Sequence, residues 1–290
     1  MSKIEKVFNK ILKPINNKIR NKCSTLNNEY KYSKKYNFEN HIKSMLLLQL
    51  SGGDSLRDFD IKYKNHLQLE DDFEIPSYSQ LSRLNSSKSV SNFKEIFDYI
   101  LNVAQKEINS TFNAQEFKDI IAIDSSIINI GEALSPKLAF SDGKSSIRIS
   151  TSYSFGTELP QNITIVHAKT GERKCIDNYI NNKECIHTFD KGYNGYAWFD
   201  KLTSDGFKFI SRLTANAVTE QYESFYTGEE NIYDLTVTLG TDYSKNKTKY
   251  LYIERESFDS NTGEEFRLVS NILCSYYIYF IIDYQKQIKF

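Results

Sequence analysis

Residues 185–213 constrain the fold more than any other stretch of the chain. Cys185 to Phe189 (CIHTF) is a short run that stops at Asp190, which marks a brief strand. Gly195 to Ser204 (GYAWFDKLTS) reads as a helix that Gly206 ends, and Phe207 to Leu213 (FKFISRL) reads as a further strand. Such a strand-helix-strand unit favours a parallel pair with a crossover helix. An α/β core is therefore expected.

The residues before this unit predict two kinds of structure. Lys118 to Ile130 (KDIIAIDSSIINI) is dense in isoleucine and has the look of a buried strand. Ile147 to Tyr153 (IRISTSY) and Asn162 to His167 (NITIVH) alternate apolar and polar residues, with a turn region between them. Three strands in succession predict an antiparallel meander, and a parallel strand that follows one often pairs beside the first. Before about residue 112 the pattern is helical. Val7, Ile11, Ile15 and Ile19 make one apolar face, which Pro14 interrupts. Phe38 to Leu50 is a strong helix stopped at Gly52-Gly53. Asp54 is positioned to cap the next, the serines from Ser77 suit a third start, and residues 92–108 are amphipathic. Residues 214–270 read as strands and turns.

Length, composition and charge narrow the function classes. The 290 residues allow about two domains. Hydrophobic residues at 40% and charged residues at 26% fit a globular chain. No apolar run reaches the about 18 residues that a membrane-spanning helix needs, and the lysine-interleaved N-terminus is not a secretory signal. Four scattered cysteines (Cys23, Cys175, Cys185, Cys274) make neither a disulfide framework nor a zinc site, so a cytoplasmic setting is expected. The net charge of zero hides an asymmetry: residues 1–35 carry +8 and residues 220–266 carry −7. The basic end suits a polyanion, although a solvated lysine-rich helix explains the charge equally well.

Two acids stand out. Asp124 interrupts the isoleucine-rich strand, and Asp190 ends CIHTF. If their strands pair, the carboxylates stand side by side and repel unless cations bridge them. Hard oxygen ligands suit Mg²⁺ or Mn²⁺. Two such ions about 4 Å apart would assist an in-line phosphoryl transfer. Each Asp taken alone also reads as an ordinary strand-end residue. His167 and His187 read as structural, and no phosphate loop or nucleophile elbow is present.

The runs FKDIIAIDSSI and HTFDKGYNGYAWFDKLTSDGFKFISRLTANA resemble the first- and second-aspartate segments of insertion-sequence transposases. Upstream, SMLLLQLSGGDSLRDFD is similar to the family's N-terminal segment. Together they resemble the DDE transposases of the insertion-sequence-four type, from about residue 5 to about residue 272. The resemblance implies an RNase H-like mixed-sheet core over residues 112–290, with a β-rich insertion at 214–268. An all-α region, residues 1–111, would precede it and bind DNA. Asp124 and Asp190 match the two metal-ligating aspartates of a site for two Mg²⁺ or Mn²⁺ ions. Ser125 and Ser126 match the hydroxyl residues after the first aspartate, with Ser126 where threonine is usual. Lys191 stands where arginine is commoner, Gly192 and Tyr193 retain the turn, and Arg212 matches the arginine of the closing strand. Ser126, Lys191 and Arg212 would lie near phosphate.

The resemblance also implies a partner and a departure. The partner is double-stranded DNA, as element ends and target, bound by a cytoplasmic, nucleoid-associated bacterial protein, with a homodimer on DNA as a further option. The family's last core helix carries a third acid after a Leu-Val-(Ser/Thr)-Asn strand. Here Leu268-Val269-Ser270-Asn271 is followed by ILCSYYIYFIIDYQKQIKF, where Asp283 is the single acid. The helix and its Glu are expected to be missing, as in a truncated or frameshifted chain. Three outcomes stay open: a transposase inactive as this chain stands, a catalytically dead DNA-binding remnant, and a metal-dependent nuclease.

Overall fold

The computed structural model describes residues 20–30, 36–52, 55–63, 76–108, 117–130, 139–141, 144–226, 233–243, 246–258 and 265–272. The apolar pattern at Val7–Ile19, Pro14, Asp54 and the tail with Asp283 lie outside them. The chain divides into two compact units, Met1–Lys106 and Glu107–Phe290.

The first unit is helical among its described residues. Helix α1 (Phe38–Ser51) starts where Asn37 accepts from the backbone N–H of Asn40. It stops at Gly52, whose φ of 63° is left-handed and suits glycine. Helix α2 (Leu56–Tyr63) is capped by Ser55, whose Oγ accepts from Asp58 N at 3.1 Å. Helix α3 (Tyr78–Ser87) begins with a Ser77–Gln80 capping box, and α4 spans Val90–Glu107. Cys23, Tyr30, Phe38, Ile42 and Ile96 form the core of this unit. Within it His41 is fully buried, bonded to Tyr30 Oη at 2.7 Å and Asn85 Oδ1 at 2.6 Å.

The second unit is built on one ten-stranded mixed sheet. In chain order its strands are β1 (Asp119–Ile130), β2 (Ala139–Ser141), β3 (Lys144–Ser154), β4 (Leu159–His167), β5 (Cys185–Phe189), β6 (Lys208–Arg212), β7 (Thr219–Tyr226), β8 (Tyr233–Leu239), β9 (Tyr252–Phe258) and β10 (Glu265–Ser270). The spatial order is β2-β3-β1-β5-β6-β10-β9-β8-β7, with β4 paired to β3. The meander is present, since β3 pairs antiparallel with both β1 and β4. Strand β5 lies parallel to β1 and β6 parallel to β5, with helix α6 (Tyr196–Ser204) as the crossover after α5 (Glu172–Ile176). This mixed α/β sheet is that of an RNase H-like core.

Strands alternate their side chains between two faces. On one face Ile123, Phe189, Phe209 and Val269 pack with Ile176 of α5 and Phe199 of α6. There the rings of Phe199 and Phe209 stack at 4.8 Å. On the other, Ile120, Ile186, Ile210 and Leu268 cluster. Gly206 has a φ of 83°, so a glycine ends the crossover helix where a side chain would be strained.

The structure departs from the sequence reading in two places. Strand β1 is buried only in its first half: Ile127 and Ile128 are exposed. Strand β3 has the expected period but the reverse facing. Over residues 147–154 its buried positions are Arg148, Ser150, Ser152 and Ser154, not the isoleucines. Polar partners offset part of that burial: Arg148 pairs with Glu172, and Ser154 donates to buried Asp119, while the Ser150 hydroxyl is unsatisfied among the described residues. Residues 214–268 are strand-rich, as the sequence suggests. Strand β10 pairs with β6, so they extend the core sheet through main-chain bonds. No helix among the described residues is long and apolar enough to cross a membrane.

Candidate functional site

The register brings the two aspartates together. On parallel strands β1 and β5, Ile123 stands opposite Phe189. Asp124 and Asp190 are the next residues on each, and Asp190 keeps extended backbone (φ −80°, ψ 170°). Ile123 and Phe189 pack into the helix-covered face. Alternation therefore turns both aspartates to the opposite face, with Ile120 and Ile186. Both are exposed. The Asp124 carboxyl is held above its ordinary range, chiefly because surrounding protein strips water from it, with smaller repulsion from Asp190 and Glu172. A backbone hydrogen bond from Ser125 opposes the shift.

The other expected residues divide. Ser211 stands opposite Phe189 on β6, so Arg212 follows it at the strand end beside Asp190. Asp124, Asp190 and Arg212 thus each follow the last residue of the parallel ladders that join β1, β5 and β6. Ser126 lies two residues past Asp124 on the same face and is exposed. Lys191 is exposed and opens a turn of 3-10 helix, Lys191–Tyr193. Ser125 points the other way, under the helix-covered face.

His187 is removed from the site. It is fully buried, its Nδ1 lies 3.3 Å from the Lys208 carbonyl, and its ring meets Phe207 edge-on. Burial pushes its pKa down to about 4, so the ring is neutral near pH 7. Among the described residues no group of three or more His, Cys, Asp or Glu is arranged to hold a metal ion.

A cluster that the sequence did not single out lies behind Asp124. Buried Arg148 ion-pairs with Glu172 at 2.6 Å and donates to Ser125 Oγ at 2.8 Å. Glu172 also lies against Gly192, where its carboxylate fills the space a Cβ would need. Tyr193 is buried beside them, and burial pushes its phenol up to about 12. The signal for Arg148 in the sequence was a lone cation within an alternating strand, which ordinarily marks a solvent-facing position.

Comparison with known families supplies two matches. The family described as the transposase DDE domain matches residues 115–267, more than half of the chain. A domain of unknown function (DUF4372) matches residues 4–68. No curated protein matches the chain significantly.

Proposed function

Because the chain belongs to the transposase DDE domain family, we propose that Asp124 and Asp190 carry its chemistry by holding Mg²⁺ or Mn²⁺. The observation that supports this most is the register, which puts two exposed acids side by side, one residue past the end of the β1–β5 ladder. Their chemistry fits the cation. The ligands are hard carboxylate oxygens, and among the described residues neither acid has an ion pair. Repulsion from Asp190 adds to the raised pKa of Asp124, and a divalent cation would relieve it. When bound, such cations supply Lewis-acid charge to a phosphodiester and its attacking oxygen. Asp124 and Asp190 would be the residues that hold such ions. Arg212 and Lys191 contribute positive charge toward phosphate oxygens, and Ser126 contributes a hydroxyl.

The reaction that family membership implies for this site is hydrolytic nicking at element ends, followed by attack of the freed 3′-hydroxyl on target DNA. Double-stranded DNA is the partner. The +8 charge of residues 1–35 would grip its phosphates and make affinity fall steeply with salt. One observation favours a second reading: no third acid joins the pair among the described residues. On that reading the protein occupies element ends without cutting them.

A cleavage assay on DNA carrying the element's ends, with Mg²⁺ or Mn²⁺, separates the readings. Metal-dependent nicking that disappears in both Asp124→Ala and Asp190→Ala supports the first. End binding without cleavage supports the second, and cleavage that survives either substitution removes the proposed site. Nicking without strand transfer identifies a nuclease.

A further inference from the structure

We propose that Arg148 and Glu172 are positioning residues that fix the spacing of Asp124 and Asp190; the inference rests on the reading of those aspartates as the cation site. The Arg148 side chain is 8% exposed. Its Nη1 donates to Glu172 Oε1 at 2.6 Å and to Ser125 Oγ at 2.8 Å, and Ser125 Oγ donates to the same carboxylate oxygen at 3.3 Å. Ser125 directly follows Asp124, so this triangle grips β1 at the first aspartate. The second oxygen of Glu172 lies where a Cβ on Gly192 would stand, two residues beyond Asp190. One carboxylate thereby lies against the chain next to each aspartate.

The position of the brace gives it its role. The β1–β5 ladder ends at Ile123 and Phe189. Past that pair, the ladder no longer sets the distance between the two acids, and their like charges push them apart. Glu172 bridges the chain on both sides at that point. Arg148 holds it there and cancels its charge, so the brace adds no net charge beside the aspartates. Gly192 is explained by the same contact: a side chain there would drive Glu172 away from Arg148.

Charge and positioning predict opposite signs for one variant. Arg148→Met removes a positive charge near the aspartates. By charge alone it would tighten binding of a cation, whereas loss of a brace weakens it. The test is a titration of the full chain with Mn²⁺ followed by electron paramagnetic resonance, with thermal melts of each variant. The brace predicts affinity lower on the order of tenfold to a hundredfold in Arg148→Met. Arg148→Lys restores part of it. Gly192→Ala, which changes no charge, weakens binding in the same direction, and it decides alone if Arg148→Met shows no cooperative melt. Asp124→Asn abolishes the uptake. If Arg148→Met and Gly192→Ala bind Mn²⁺ as tightly as the parent while Asp124→Asn does not, the brace is overturned and the cation site stands. If Asp124→Asn binds like the parent, or the parent takes up no Mn²⁺, the site reading fails and the brace with it.

Discussion

The two halves of the sheet treat their acids differently. In the outer strands, two acids are buried and matched with arginine. Asp234 on β8 meets Arg255 on β9 through two bonds of 2.5 and 2.6 Å, with both side chains almost fully buried. Glu254, fully buried, accepts from Arg267 Nε at 2.6 Å. Just past the end of the β1–β5 ladder, Asp124 and Asp190 are exposed and have no cationic partner among the described residues. A charge in a low-dielectric interior must be paired, because desolvation otherwise costs several kcal/mol. The outer acids are therefore structural. The inner pair shows no such match among the described residues.

Removing one partner of the outer pair should have the largest effect. Asp234→Asn strands the Arg255 charge and should cost about 3–5 kcal/mol in urea unfolding. A loss below about 1 kcal/mol would break the comparison, since the pair would then be no more structural than the exposed acids.

His187 extends the rule to a base. Buried beside a carbonyl and Phe207, it gives up its charge and has a pKa of about 4, below the ordinary 6.5. The unfolded chain then binds more protons below pH 6.5. Stability is complete above that value and falls as pH drops toward 4, by up to about 3 kcal/mol. Urea unfolding of the parent and of His187→Gln across this window should differ in slope. Parallel curves would show that the ring is not held neutral by burial.

Two smaller effects sharpen the contrast. Glu254→Gln should cost about 2 kcal/mol, because Arg267 loses a charge-assisted bond but keeps the carbonyls of Ala215 and Ala217. Asp124→Asn should change stability by no more than about 0.5 kcal/mol, as expected for an exposed acid outside the packed core. If its unfolding midpoint fell as far as that of Asp234→Asn, Asp124 would be a structural acid.

Local patterns carried much of this architecture. The boundaries of β5 were visible because CIHTF is bounded by polar residues and Asp190, and Ser77 announced α3 through its own capping chemistry. The pairing of Asp124 with Asp190 followed from a strand-helix-strand unit behind a meander. What stayed hidden depends on partners distant in sequence. The burial of Arg148 is set by Glu172, which meets it from another element, so the period of β3 was legible and its facing was not. The same holds for β10, whose pairing with β6 across the outer strands leaves no local trace. Arg212 was found through resemblance, and its place beside Asp190 becomes physical only with the β5–β6 register.

The central claim is that Asp124 and Asp190 together form a cation site. Its most direct test is a crystal of the full chain soaked in Mn²⁺, with anomalous scattering collected at the manganese edge. The account predicts a peak within coordination distance of both carboxylates, absent from crystals of Asp190→Asn. A peak bound elsewhere, or a manganese that touches one aspartate and survives loss of the other, would contradict it.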